Sequence, residues 1–480
     1  MKPFVILQPN LRALDPHICT DANAVRNWRY ALYEALIEYG GESFVPALAE
    51  SWRCSPDART WTFNLRQGVR FHDGKTLTAR DVVYSLERAA GPGITGELFT
   101  VTFYNYLEGM ELTAVNERTV RLFAPAPVAD LLELLCDMVI IPEGALGEGL
   151  LAADDPQSGG RLPPGTGPYR LESFAEGSAV LCAWERYWRG AREQQLVEFR
   201  GEPAEAKRIE ALKSGSAELI TQLSPASAGA FEDSGEVELW PIEANLCVIY
   251  LMDLNTDYLK DVRLRQALNH AVDKQAVIGE ILHGRGEALN GPLSPLHFGC
   301  DPSLPPYDHD PDRGRELLAE AGLRGQEVLI HSPLSLPDEA PRLTEMLAGQ
   351  FREIGLEPRI EIHEDRFEYA RSIAEKKFQG LFCFDSSPLS TFRVLREKLD
   401  SRFHGPWWQG YHSERANQLL SRAAATADSS VRQQLYRQAY RIYQEEAPWL
   451  YLYRPHRLWG IRRSARSAVR PNREAVLRFL

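Results

Sequence analysis

Apolar and polar positions alternate across residues 61–66. Trp61, Phe63 and Leu65 interleave with Thr62, Asn64 and Arg66, and Val69 and Phe71 continue the pattern beyond Gly68. Period-two alternation predicts a strand with one buried face. Asp73-Gly74 then predicts a turn, because glycine tolerates positive φ. Thr78, three residues before Asp81, predicts a helix start in which a side chain satisfies free backbone N–H groups. Val82, Val83 and Leu86 supply the buried stripe of that helix. Each local signal agrees with the next, which marks a structural module.

Elsewhere the pattern predicts a mixture of helices and strands. Phe4–Leu7 reads as a strand, and Trp28, Leu32, Leu36 and Ile37 as one face of a helix stopped by Gly40-Gly41. Residues 111–123 read as a hairpin around Asn116-Glu117, and Tyr169–Phe174 with Ala179–Trp184 as a strand pair. Residues 145–169, rich in Gly, Pro, Ser and Asp, are the clearest candidate for a domain crossing. A helix and short strand follow at 203–222, and a strand at Cys247–Leu254. Two helices capped by Asp261 and Asp273 span 261–284, and two more flank a strand at Glu327–His331. Phe378–Phe384 reads as a buried strand, 413–446 as helical, and Trp449–Tyr453 as a terminal strand. The sequence shows no tandem repeat.

A chain of 480 residues predicts two or three domains. Its formal charge of −12 argues against sequence-independent binding to nucleic acid or to an anionic membrane surface. The aromatic content (10 Trp, 18 Tyr, 19 Phe) fits either a large core or a ring-lined cleft. The most apolar run, residues 131–142, carries Glu133 and Asp137 and is too short to span a bilayer. The opening MKPFVILQPN lacks the features of a secretory leader, so either a cytoplasmic chain or a mature exported domain is expected. Seven scattered cysteines, with no CxxC pair, make a poor disulfide framework and a poor metal site.

Catalytic signatures are missing. No GxSxG, HExxH or P-loop occurs. His363-Glu364 lacks the second histidine of a zincin, and GRGEALNG (284–291) follows a helix rather than a strand. No catalytic residue, metal site or cofactor is expected, and the chain is read as a non-enzyme.

Residues 47–89, ALAESWRCSPDARTWTFNLRQGVRFHDGKTLTARDVVYSLERA, closely resemble the signature block of the family 5 extracellular solute-binding proteins. These are the dipeptide-, oligopeptide- and nickel-binding components of ABC importers. Gly165-Thr-Gly-Pro-Tyr169, Asp261-Val-Arg-x-Arg265-x-Ala-Leu268, Tyr307 with Asp310-Pro311, Glu316–Gly322 and Glu446-Ala-Pro448 resemble further family blocks in the same order.

The resemblance implies an α/β, two-lobed, periplasmic-binding-protein-like fold with an extra third domain and a ligand cleft between the lobes. Lobe I is expected from 1–38, 165–243 and 448–480, the additional domain from 39–164, and lobe II from 244–447. The signature block is then scaffold, including His72 and Asp73. Arg265 is also read as structural. The implied function is a receptor that captures a peptide or similar small solute by lobe closure and presents it to a membrane permease. No nucleic-acid partner and a monomeric state are expected. A cytoplasmic solute sensor on the same domain and a hydrolase are the other classes, the latter poorly supported.

Among candidate ligand-binding residues, Asp385 comes first. It follows an apolar strand where peptide-binding members of the family place an aspartate for the ligand's amino group. It also suits a cap for a helix over roughly 386–399. Trp407, Trp408 and Tyr411 suit either stacking on a ligand or pinning a loop to the core. Asn245 and Tyr250 suit either cleft contacts or ordinary strand-end roles. Arg366 and Arg393 are candidates for a ligand carboxylate, or solvated surface charges.

Overall fold

The apolar run at the N-terminus folds as strand β1 (Phe4–Gln8), which is buried throughout. The computed structural model describes all residues except 1, 14, 19, 21, 41–42, 92, 95–102, 148–161, 176, 232–234, 336 and 338. Its contacts divide the chain into two units, residues 1–243 with 457–480, and residues 244–456.

In the first unit, helix α1 (Asn23–Leu32) ends four residues before Leu36, although the apolar spacing predicted that it would run on. Another segment takes over its C-terminal carbonyl groups. Gly167 donates its N–H to the Leu32 carbonyl at 2.9 Å, Tyr33 turns extended, and the Tyr33 hydroxyl reaches the Pro163 carbonyl at 2.8 Å. Leu36 and Ile37 are therefore buried outside the helix. Ile37 opens β2 (Ile37–Tyr39), which pairs with β3 (Phe44–Pro46).

The alternating block becomes β4 (Ala49–Cys54) and β5 (Thr60–Leu65), with Trp61, Phe63 and Leu65 buried. Helix α2 (Ala79–Ala89) starts where the Asp81 carboxylate accepts the Thr78 N–H at 2.7 Å. Val82 and Leu86 are buried and Val83 half-buried. The short helix α3 (Tyr104–Leu107), strands β6 (Glu111–Asn116) and β7 (Thr119–Phe123), and helix α4 (Leu131–Leu135) follow, and the antiparallel order β4-β5-β7-β6 forms one small sheet. The main sheet of this unit uses β8 (Tyr169–Ala175), β9 (Ser178–Ala183) and β10 (Leu196–Gly201). Next come α5 (Glu205–Ser214), β11 (Leu219–Leu223) and β12 (Val237–Glu243). Strand β1 lies between β10 and β11, parallel to both. Of the expected crossing at 145–169, residues 148–161 lie outside the described residues.

The second unit begins with β13 (Cys247–Met252), α6 (Val262–Ala271), α7 (Lys274–Leu282) and β14 (Gly286–Ala288). It continues with α8 (Pro311–Ala321), β15 (Glu327–Pro333), α9 (Ala340–Glu353), β16 (Glu357–His363), α10 (Arg366–Ala374) and β17 (Leu381–Ser386). Helices α11 (Thr391–Leu399), α12 (Glu414–Ala424) and α13 (Ser429–Glu446) precede strand β18 (Trp449–Arg462). As expected from sequence, Asp261 and Asp273 cap α6 and α7, accepting N–H groups at 2.8 and 2.9 Å. The sheet order is β16-β15-β17-β13-β18, with β16, β15 and β17 parallel.

Apolar runs in β13 and β17 reflect burial on both faces. Val248, Tyr250, Met252, Leu381 and Cys383 join a core with α6–α9. Cys247, Ile249, Leu251, Phe382 and Phe384 join a second core with α10–α13. Strand β18 runs beyond the expected Tyr453 and continues into the first unit, where Ile461 pairs with Leu219 of β11. The last pair, β19 (Val469–Pro471) and β20 (Leu477–Phe479), packs Phe479 against Phe4 and Tyr169. No helix among the described residues is long and apolar enough to cross a membrane. No disulfide joins any two described cysteines, and Cys247, Cys300 and Cys383 are buried.

Candidate functional site

The parallel strands β15, β16 and β17 all end on one edge of the second unit's sheet. In open α/β sheets the carboxyl edge is where chain crossings leave room for ligands. Gly380 sets β17 at its station. It has φ +95°, and a Cβ there would stand 2.2 Å from the Leu329 carbonyl oxygen, so only glycine allows β17 to close on β15.

Asp385, the fifth residue of β17, reaches the end of the strand half-buried. It does not cap the following helix. That helix starts at Thr391, and its cap is Ser390, whose hydroxyl accepts the Arg393 N–H at 3.0 Å. The carboxylate instead meets Arg366, the first residue of α10, with Nη2 donating to Oδ1 at 3.3 Å. Charge-assisted pairs of this kind normally close to about 2.7–2.9 Å, so the pair is loose. Arg366 Nε and Nη1 are buried and have no hydrogen-bond partner among the described residues. The guanidinium also sits 5.6 Å from the centre of the Tyr369 ring. A buried donor left unmade costs about 1–3 kcal/mol, so these two nitrogens are open positions for an acceptor.

The chain just after Asp385 is fixed from three sides. Lys398 Nζ donates to Ser386 Oγ at 3.1 Å, Asn245 Nδ2 to the Ser387 carbonyl, and His297 Nε2 to the Pro388 carbonyl at 2.8 Å. All three anchoring side chains are buried. Burial holds the His297 imidazole down at about 4, so it is neutral at pH 7. Lys398 and His297 were missed in the sequence. They lie 12 and 91 residues from their partners, and no local periodicity marks such a contact.

The remaining candidates lie apart from this pair. Tyr250 is fully buried in the core with α6–α9, its hydroxyl donating to Thr344 Oγ1 at 2.6 Å. Arg393 pairs with Glu397 at 2.9 Å, and both side chains are buried. Trp407 packs its ring 5.0 Å from Phe384 within the second core. Trp408 donates Nε1 to the Tyr411 carbonyl at 2.7 Å, and the Tyr411 hydroxyl donates to Glu446 Oε2 at 2.6 Å. These contacts tie the 407–411 loop to the end of α13. The structure thus brings Asp385, Arg366 and Asn245 to one strand end, and leaves Tyr250, Arg393, Trp407, Trp408 and Tyr411 in packed surroundings.

His72, in the first unit, is equally engaged. Its Nδ1 accepts the Gly165 N–H at 3.2 Å and its Nε2 donates to the Gly167 carbonyl at 3.1 Å. Asp73 accepts the Lys75 N–H at 2.9 Å within the turn. Arg265 donates to the carbonyls of Leu259, Lys260, Glu446 and Ala447, which ties α6 to the end of α13.

Known proteins share this architecture. A dipeptide-binding protein of Escherichia coli is 28% identical over 462 residues, covering 91% of this chain and 86% of its own length. Heme-binding protein A of Haemophilus influenzae is 27% identical over 443 residues, covering 87% and 81%. The structure of HbpA2 from Haemophilus parasuis superposes with a TM-score of 0.84 at 22% identity over 100% of both chains, which shows the fold of the periplasmic binding proteins. The family model for bacterial extracellular solute-binding proteins, family 5 middle, matches residues 43–382. The chain belongs to the family 5 bacterial extracellular solute-binding proteins.

Proposed function

We propose that this protein is the substrate-binding receptor of an ABC importer and captures a peptide or a similar small solute by closure of two lobes. The observation that carries the reading is the loose Asp385–Arg366 pair at the carboxyl end of β17, with two guanidinium nitrogens unmatched among the described residues. A carboxylate held by one 3.3 Å contact keeps acceptor capacity for a ligand ammonium group. The open N–H groups of Arg366 suit a ligand carbonyl or carboxylate beside it. Asn245 acts one step back, holding the Ser387 carbonyl. Membership of the family and the name of the Escherichia coli relative support a peptide as the first ligand class to test.

In this reading the chain works outside the cytoplasm, as a monomer, without catalysis. Residues 39–164 form a scaffold domain of their own, and the ligand is passed to a membrane permease.

Native mass spectrometry of the purified chain, followed by denaturing extraction, tests the assignment. A retained peptide is expected. Asp385→Asn, checked for folding by circular dichroism, should bind it at least about 30-fold more weakly, the lower end of what removing one partner of a buried charged contact costs. Unchanged peptide affinity in that variant removes Asp385 from the site. A wild-type protein that binds no peptide from a mixed pool overturns the peptide reading itself.

A further inference from the structure

A second cluster of side chains lies on the same sheet, on the face covered by α10. His331 stands opposite Glu361 in the parallel pairing of β15 with β16, and His363 lies two residues beyond Glu361 on the same face. One ligand atom from each of these three residues lies within 4.8 Å of the others. The Nδ1 of His331 is 2.9 Å from the Nε2 of His363 and 3.6 Å from Oε2 of Glu361.

We propose that His331, Glu361 and His363 form a binding site for one divalent transition-metal ion, with zinc the first candidate.

Four features support a built site. First, the Nε2 of His331 is 3.1 Å from the Gln379 carbonyl, which can only accept, so Nε2 carries the ring proton. The Nδ1 lone pair therefore points at the other two ligands, with the outer-shell carbonyl support common to metal-bound histidines. Second, the ring itself is fixed, stacked on Phe378 at 4.1 Å with a 6° interplanar angle. Third, the two oxygens of Glu361 are divided. Arg359 holds Oε1 at 2.8 Å, and Oε2 faces His331. Fourth, two imidazoles and one carboxylate are a zinc-type donor set that leaves a further coordination position open.

The spacing matches the ion. Zinc–nitrogen bonds of about 2.0–2.1 Å in tetrahedral array set donor atoms roughly 3.3 Å apart. The separations of 2.9 and 3.6 Å from His331 bracket that value, and all three donor atoms lie within 4.8 Å of one another. Closure therefore needs the half-exposed Glu361 and His363 side chains to approach by at most about 1.5 Å. Without an ion, His363 Nε2–H donates to His331 Nδ1. Coordination requires that proton to move to His363 Nδ1 by exchange with water, with no net change in ring charge. The half-exposed His363 and Glu361 leave a path for the ion. The sequence concealed the site because its second histidine comes from a neighbouring strand, 32 residues away.

The test is titration of the full chain, stripped with chelator, with Zn2+ by calorimetry and with Co2+ by visible absorption. One equivalent of each should bind, with ligand-field bands of four- or five-coordinate cobalt. His363→Ala and Glu361→Gln should each weaken binding at least about tenfold, since even outer-shell changes cost that much. Arg359→Gln should strengthen zinc binding several-fold by removing a nearby positive charge, an effect that a merely structural role would not produce. His283→Ala, elsewhere in the unit, should bind like wild type. Absence of saturable binding at micromolar zinc overturns the proposal. So does wild-type affinity in folded His363→Ala or, should that variant not fold, in Glu361→Gln.

Discussion

His72 and Gly165 are bound to each other twice. The His72 N–H donates to the Gly165 carbonyl at 2.8 Å, and the Gly165 N–H donates to His72 Nδ1 at 3.2 Å. His72 is thereby committed to the backbone of a segment 93 positions away. The contact joins the alternating block of β5 and α2 to the Gly165-Thr-Gly167 stretch, which in turn receives the end of α1.

Gly165 tolerates no side chain. A Cβ there would lie 1.9 Å from the Leu32 carbonyl oxygen, whereas a Cβ at Gly68 meets nothing within 4 Å although φ is +81°. Gly165→Ala is expected to cost about 3 kcal/mol or more, at the upper end of overpacking penalties. Gly68→Ala should cost only about 1–2 kcal/mol, through backbone strain alone. Urea unfolding of both variants checks the ranking, and equal losses would contradict the close approach.

Acid should loosen the fold well before carboxylates titrate. Burial, the largest cause in each case, holds His72 and His297 down to about 4 from an ordinary 6.5. Between those values the unfolded chain binds more protons than the folded one, so stability rises with pH. Each site contributes its full share above pH 6.5, about 3 kcal/mol, and loses it progressively as pH falls towards 4. Denaturation midpoints at pH 7, 6 and 5 should fall in that order, with a shallower slope for His72→Gln. A pH-independent midpoint would rule the assignment out.

Tyr411 and Tyr250 provide a test of which aromatic groups serve the ligand. Tyr411→Phe removes a hydroxyl donated to Glu446 and should lower stability by about 1.5–3 kcal/mol. Tyr250→Phe removes the neutral bond to Thr344 and should cost about 1 kcal/mol. Neither should change ligand affinity measured by calorimetry. A tenfold loss of affinity in either variant would place that ring in the binding site.

What was legible in the sequence was what neighbours in sequence decide. Thr78 with Asp81, Asp261 and Asp273 sit where their helices begin, and Trp61, Phe63 and Leu65 share the buried face that their spacing implied. Reading failed where a distant segment intervened. The Gly165–Gly167 stretch ended α1 at Leu32 although Leu36 and Ile37 kept the helical spacing. Ser390 took the capping role that Asp385 also suited. The Arg366–Asp385 contact forms because a helix and a strand start and end at one sheet edge, a fact set by tertiary packing and not by their separation of 19 positions in sequence.

The buried thiols set a reactivity. Burial raises Cys247 to about 12 and Cys300 to about 11, and lifts Cys383 further. Only thiolates attack disulfides or alkylating agents, so at neutral pH on the order of one molecule in ten thousand or fewer presents any of these sulfurs as a nucleophile. Cross-linking at these three positions is suppressed by kinetics, even in an oxidising compartment.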